Sequence, residues 1–195
     1  MLKANLEPEP QTQGRPRSKD AHEAVIEATS KLLEQLDYPN ISVDKVVLES
    51  GVSKRTIYRW WRNKASIILE VISADDIQEP NTGNLEKDLT QLLSKIFKRV
   101  SSDKRAQVIK GLVMDAQYDP EFATQFRDYI HGRRQVCLNI LERGQQRGEI
   151  SIKHDPATIA DLFYGAYWYR FLIGHAPLTE AYAKDTVKMI LNGIR

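Results

Sequence analysis

Residues 42–64, SVDKVVLESGVSKRTIYRWWRNK, decide the fold. Ser42 is a good N-cap for a helix whose apolar positions Val43, Val46 and Val47 recur at helical spacing, and Gly51 stands where the chain leaving that helix needs φ > 0. Ser53, just past the glycine, caps a second short helix expected from Lys54 to about Trp60. Two short helices joined by a turn of roughly 3–4 residues containing Gly make a helix-turn-helix. Ile57 then faces the valine layer with Val52 beside it, while Lys54, Arg55, Thr56, Tyr58, Arg59 and Trp60 are expected over the outer surface. Between Gly51 and Lys64 stand Lys54, Arg55, Arg59, Arg62 and Lys64 with no acid, interleaved with Tyr58, Trp60 and Trp61. Cations suit phosphate oxygens and guanine edges, hydroxyls suit phosphates, and the first residues of a reading helix reach base edges. The pattern predicts double-stranded DNA as the partner.

The flanks fit a small helical domain around this motif. A first helix is expected from Ser18 or Asp20, where Asp20 with Glu23 has the form of a capping box, to about Leu36. Its core stripe is Ala21, Val25, Ala28, Leu32 and Leu36; Tyr38-Pro39-Asn40 then breaks it and Ile41 returns to the core. Downstream, Asn63 caps a fourth helix expected from Lys64 to about Ile77. Lys64 in its first turn, beside free N–H groups, suits a DNA phosphate. Residues 1–17 are Pro-rich and read as a mobile arm, whose Arg15 and Arg17 suit supporting contacts to the minor groove or the phosphates; a purely solvated tail is the other reading. Pro80, Asn81 and Gly83 mark a boundary, giving an arm 1–17, a DNA-binding domain 18–79 and a second domain 80–195.

The second half shows helical periodicity throughout, so the fold class is all-α with about nine helices. Asp119-Pro120 and Asp155-Pro156 each place a cap before a proline at the first helical position, and Gly148 and Gly174 stop the two helices they open. The stretch 161–173, DLFYGAYWYRFLI, is apolar on every side, and such a helix must be buried on every side. One face meets its own core. The other predicts a two-fold homodimer built with the last helix as a four-helix bundle, and Phe163, Tyr167, Phe171, Val187, Ile190 and Leu191 are the expected interface residues. The central helix of a monomeric bundle is the alternative. A two-fold dimer would present two reading helices about 34–36 Å apart, to successive major grooves of a palindromic site.

Composition excludes other classes. The chain has 195 residues, 42% hydrophobic and 28% charged, with a net charge of +2, so nucleic-acid binding rests on local charge placement and not on overall charge. The single cysteine, Cys137, sits on an apolar helical face and reads as a packing thiol. No apolar run reaches membrane length and the N-terminus lacks a hydrophobic signal core, so a cytoplasmic protein without membrane contact is expected. His22, His131, His154 and His175 are scattered, and there is no phosphate loop, metal-ligand spacing or activated nucleophile. No catalytic residue, metal or cofactor is expected.

Residues 51–72, GVSKRTIYRWWRNKASIILEVI, resemble the DNA-binding domain of the TetR family of bacterial transcriptional regulators, and the resemblance spans about residues 19–79. It implies that Ser42, Tyr58 and Lys64 contact phosphates and that Lys54, Arg55, Thr56, Arg59 and Trp60 face bases; Ser53, Arg15 and Arg17 complete the expected DNA-contacting set. Position 60 departs from the family's usual polar or smaller aromatic residue, leaving base contact and inward packing both open for Trp60. The resemblance also implies dimerisation through the last two helices and a repressor released from its operator by a small hydrophobic or amphipathic effector in the second half. Met114, Tyr118, Arg133, Tyr164 and Trp168 are the candidate pocket residues. The alternative is a DNA-binding protein whose second half recruits a protein partner and takes no effector. An enclosed cavity favours the first, an exposed apolar groove beyond the dimer surface the second.

Overall fold

The computed structural model describes residues 16–74 and 78–194. Arg15 and the arm through residue 15 lie outside the described residues, as does Ile77, the expected end of the fourth helix. Arg17 belongs by its backbone to the first turn of a helix, its side chain lying outside the description as well. The described residues form nine α-helices and no strand.

The first four helices are α1 (Pro16–Gln35), α2 (Val43–Ser50), α3 (Lys54–Ile57) and α4 (Lys64–Ser73), with a single 3-10 turn at Tyr38–Asn40 between α1 and α2. The local signals behave as side-chain chemistry requires. Ser42, Ser53 and Asn63 each accept a hydrogen bond from a first-turn amide, from Lys45, Thr56 and Ser66 respectively. Gly51 ends α2 at φ 69°, a left-handed conformation that a side chain would strain. Two boundaries differ from expectation. α1 starts at Pro16, so Asp20 lies inside the helix and caps nothing: proline's fixed φ suits a first turn and starts the helix earlier. α3 is regular only to Ile57, and Tyr58–Trp60 continue as turns.

The second half contains α5 (Leu85–Arg99), α6 (Asp103–Tyr118), α7 (Pro120–Gln146), α8 (Pro156–Ile173) and α9 (Glu180–Ile194). Asp119 and Asp155 cap α7 and α8 from the residue before the proline, and Gly174 closes α8 at φ 70°. α5 packs against α7 and α9, α6 against α7, and α8 between α7 and α9.

Two hydrophobic cores share one helix. Val25, Leu32, Val46, Ile57, Trp61 and Ile67 make the small N-terminal core. On the other side of α4, Ala65, Ile68, Leu69 and Ile72 belong to the large core built by the second half, as do Tyr38 and Ile41. The segment after α4 is pinned to α7. Arg143 pairs with Glu79 and donates to the Pro80 carbonyl at 2.8 Å, while Asn139 donates to Glu79 at 2.8 Å.

Most of the expected dimer residues lie inside the protomer. Phe163, Tyr167, Phe171, Val187 and Leu191 are all buried in the protomer's own core, and Ile190 is half-buried against it. The outward apolar stripe is instead Leu162, Tyr169, Leu172 and Ile173, running past the exposed Gly165, with Met189 exposed on α9. The physical reason lies in α8 itself: with apolar residues all round, its periodicity cannot say which face meets its own core. Cys137 is fully buried, and that burial pushes its thiol up to about 12, which makes it a packing group.

Candidate nucleic-acid interface and regulatory cavity

α3 is held by few contacts and exposes most of its length. Ile57 is its buried anchor, while Ser53, Lys54, Arg55, Tyr58 and Arg59 are exposed on one continuous surface. Ser42, Thr56, Trp60 and Lys64 are half-buried at its margins. The serine caps that hold α2 and α3 spend a lone pair on the amide and keep the hydroxyl proton for another acceptor, and Ser53 Oγ also lies 2.9 Å from Thr56 Oγ1.

The cations on this surface are not equivalent. Arg55 and Arg59 carry no ion pair among the described residues. Lys54 is bound to Asp44 of α2 at 2.7 Å, and the hydrogen bond to that carboxylate holds its ammonium above the usual lysine range. Arg62 is paired with Glu121 of α7. Lys64 is folded back, its Nζ donating to the Tyr38 carbonyl at 3.1 Å and lying 4.5 Å from the centre of the Tyr38 ring. Trp60 packs against the small core and meets Trp61 and His22 edge-on, with ring centres 5.4 and 5.6 Å apart. Much of its surface is therefore committed inward. Trp61 is buried outright and donates to Glu70 at 2.6 Å, which ties the end of the motif to α4.

Behind this surface lies a contact that sequence patterning missed. Tyr38, which reads as part of a helix-breaking tripeptide, is 2% exposed and sits as a wedge between the two halves. Its hydroxyl donates to Asp115 of α6 at 2.6 Å, and burial together with that carboxylate pushes the phenol far above its ordinary range, so it stays a donor. Its ring lies on Gly111 of α6 so closely that a Cβ there would fall 2.2 Å from a ring carbon. Two further contacts join the halves at the α6–α7 corner, from Asn63 to Asp119 at 2.8 Å and from Arg62 to Glu121. A buried Tyr and a helical Gly carry no sequence signal that they touch.

The second half contains a partly open cavity of about 320 Å³ between α5, α6, α7 and α8. Of the candidate pocket residues, Arg133, Tyr164 and Trp168 line it. Met114 and Tyr118 do not: they are 54% and 85% exposed, because α6 turns its Val108, Ile109 and Leu112 face inward and these two point to solvent. The walls are otherwise apolar and aromatic, including Ile96, Ile109, Phe126, Tyr129 and Tyr167. Sequence patterning gave no sign of the arginines Arg99, Arg105 and Arg134 in the same lining, which come from three helices. Arg134 is held by Asp161 at 2.8 Å and by the Ala157 carbonyl at 2.7 Å. Arg99 reaches from the cavity to the last turn of α4, with Nη2 3.5 Å from the Ile72 carbonyl. The Tyr164 hydroxyl donates to the Arg133 carbonyl at 2.9 Å, joining α8 to α7 across the wall.

A solvated basic helix on a capped helix-turn-helix, set over an all-helical domain with a cavity, can be compared with known proteins. The family model for bacterial regulatory proteins of the tetR family matches residues 25–71, and that for the tetracyclin repressor-like C-terminal domain matches residues 79–190. The chain belongs to the TetR family. It is accordingly a DNA-binding transcriptional regulator, and the relatives bear this out. The uncharacterized HTH-type transcriptional regulator YdeS of Bacillus subtilis is 32% identical over 186 residues, covering 93% of each chain. The crystal structure of the TetR family transcription regulator SCO0332 superposes with a TM-score of 0.78 at 27% identity, over 90% of this chain and 99% of that one. The regulator FadR from Bacillus subtilis, solved in complex with stearoyl-CoA, shares the fold with a TM-score of 0.62 at 21% identity, over 91% of this chain and 99% of that one. Among the described residues of this TetR-family regulator, no helix is long and apolar enough to cross a membrane, and no group of three or more His, Cys, Asp and Glu could hold a metal ion.

Proposed function

We propose that this regulator is a cytoplasmic homodimeric repressor that binds a palindromic operator and is released by a small organic effector in the second-half cavity. The carrying observation is α6, which lines the cavity through Arg105 and Ile109 and, within two further turns, holds Tyr38 through Gly111 and Asp115. Tyr38 in turn holds Lys64 at the start of α4. A ligand that displaces α6 therefore displaces the mounting of the DNA-facing surface. Such a ligand needs only a few kcal/mol of preference for one arrangement, since ~1.4 kcal/mol changes occupancy tenfold.

On this reading Arg55 and Arg59 meet base edges, and Ser42, Ser53, Thr56 and Tyr58 hold the backbone. Lys54 and Lys64 exchange their internal partners for DNA. The dimer forms through the α8 stripe of Leu162, Tyr169, Leu172 and Ile173, whose 3- and 4-residue spacing through Gly165 suits a close antiparallel helix crossing. Selection of random duplex DNA on the purified protein at fixed salt tests the reading. Enrichment of a palindrome with half-sites about one helical turn apart is expected; recovery of an asymmetric site, or of none at low salt, would refute it.

A further inference from the structure

We propose that Asn63 is a positioning residue for DNA reading: through Asp119 it fixes the first turn of α4 to the first turn of α7, and so sets the angle at which the reading surface is presented. Each of the two side chains serves its own helix and then the other. Asn63 Oδ1 accepts from the Ser66 amide at 2.9 Å and from the Ser66 hydroxyl at 3.2 Å, which closes the first turn of α4. Its amide nitrogen donates to Asp119 Oδ2 at 2.8 Å. Asp119 Oδ1 meanwhile accepts from the Glu121 and Phe122 amides at 3.0 and 3.1 Å, which closes the first turn of α7. One unbroken chain of hydrogen bonds therefore joins the starts of two helices from different halves of the protein. The central bond is made to a carboxylate and lies between half-buried side chains, so it is stronger and less screened than a surface contact.

The rest of the junction leaves α4 a freedom that this clamp removes. Ile68, Leu69 and Ile72 seat α4 on the second half, and apolar contact is non-directional, so it resists separation more than rolling along the seam. A hydrogen bond has a preferred length and angle, and fixes the register that apolar contact leaves loose. Arg99 reaches the last turn of α4 and Tyr38 ties the turn before α2 to α6; Asn63 acts at the first turn of α4, where the reading motif ends. The neighbouring pair of Arg62 with Glu121 is largely exposed on both sides, and such pairs contribute little. In a two-fold dimer, rotation of α4 about its seam moves both reading helices off the one-turn spacing of a palindrome. For that consequence the proposal rests on the palindromic reading above; the clamp itself does not. On the far side, the Phe122 ring centre lies 6.2 Å from Phe126, and Phe126 lies 6.2 Å from Tyr129, the last two in the cavity wall. Asn63 is thus held by a helix that a guest in the cavity would touch.

The test exchanges the two groups in the full chain. Asp119→Asn keeps a cap on α7 but sets two amide nitrogens against each other, and Asn63→Asp keeps a cap on α4 but sets two carboxylates against each other. With both substitutions the amide at 119 donates to the carboxylate at 63, and the net charge is that of the natural chain. Spin labels at Leu48→Cys on α2 and Gln91→Cys on α5, both exposed, report the placement of the halves by dipolar distance measurement. Dilution with unlabelled chain keeps each measured pair within one protomer, and Cys137 is buried and stays unlabelled. The distance distribution should be narrow without the exchange, broaden or shift in each single variant, and narrow again in the double variant. Selected operator and random duplex DNA are titrated at one salt concentration, where a change of charge acts on the phosphates of any sequence and cancels in the ratio of affinities. That ratio should fall about tenfold in each single variant and return to within about threefold of the natural value in the double variant. Unfolding midpoints recorded alongside identify any loss of fold, and the double variant keeps the question decidable. Labels that do not respond, a ratio that does not respond, or a double variant that folds without restoring them would each overturn the proposal. A selection that recovers an asymmetric site, or none, is a failure of the palindromic reading, and the labels then decide the clamp by themselves.

Discussion

Replacing Gly111 by alanine should destabilise this protein, against the ordinary preference of a helix. In an exposed helix interior the change from Gly to Ala stabilises by about 1 kcal/mol. At position 111 the new Cβ would stand 2.2, 2.4 and 2.6 Å from three carbons of the Tyr38 ring, where carbon contacts normally lie at about 3.5–4.0 Å. The ring must retreat by more than 1 Å. That retreat overpacks the junction at about 1–3 kcal/mol and breaks the 2.6 Å hydrogen bond to Asp115, which as a bond to a charged group contributes about 1.5–3 kcal/mol. After the helical preference is set against these losses, a net destabilisation of about 2–4 kcal/mol remains, or roughly 5–15 °C in midpoint for a chain of this length. Thermal unfolding followed by circular dichroism measures it. The decisive control is the same substitution in a Tyr38→Ala background, where the ring is gone and Gly111→Ala should be neutral or stabilising by up to about 1 kcal/mol. A raised midpoint for Gly111→Ala alone, or an equal effect in both backgrounds, would refute the wedge.

Three other outcomes follow from the same geometry. Arg55→Ala should lose about 1–3 kcal/mol of affinity for the selected operator and little for random DNA, whereas Tyr58→Phe should weaken both alike; equal losses for Arg55→Ala in the two titrations would remove it from base reading. Leu172→Asp places a charge on the outward stripe of α8 and should weaken self-association by about 3 kcal/mol, some 100-fold, yielding monomers in sedimentation equilibrium; an unchanged dimer would move the interface elsewhere. Burial of Glu79 works against its charge, but the hydrogen bonds from Arg143 and Asn139 and the charge of Arg143 outweigh it and hold its carboxyl below the usual glutamate range. A depressed folded value gives stability that is present above the ordinary glutamate pKa of about 4.3 and lost as pH falls through the folded value. Glu79→Gln should therefore be less stable than the natural chain in urea at neutral pH and match it at the acid end, and a gap that persists in acid would show that the side chain acts through packing alone.

Much of the chain was legible because its punctuation is local. A cap serine or asparagine, a left-handed glycine and an Asp-Pro pair act on their own neighbours, so Ser42, Gly51, Ser53, Asn63, Asp119 and Asp155 do what their positions promise. The failures lie where a distant partner decides. α8 is apolar all round, so only the placement of α7 and α9 selects Phe163, Tyr167 and Phe171 for the inside and leaves Leu162, Tyr169 and Leu172 outside. Met114 and Tyr118 fit a pocket by residue type, yet the rotation of α6 turns them to solvent. Arg99, Arg105 and Arg134 look like ordinary surface charges in the sequence and converge only when α5, α6 and α7 are brought together.

The shared helix α4 bears on how such regulators can be recombined. Cut after Ser73, the DNA-facing half would bare Ile68, Leu69 and Ile72 together with the Tyr38 ring, and it would carry an oily seam where its companion had been. A chimaera that grafts this operator-reading half onto a different sensor must therefore supply a matching seat: a glycine under the tyrosine, an acceptor for its hydroxyl and an apolar cradle for the far side of α4. The natural unit of exchange is the reading half together with the surface it rests on, and the seam falls inside α6 rather than at the loop between domains.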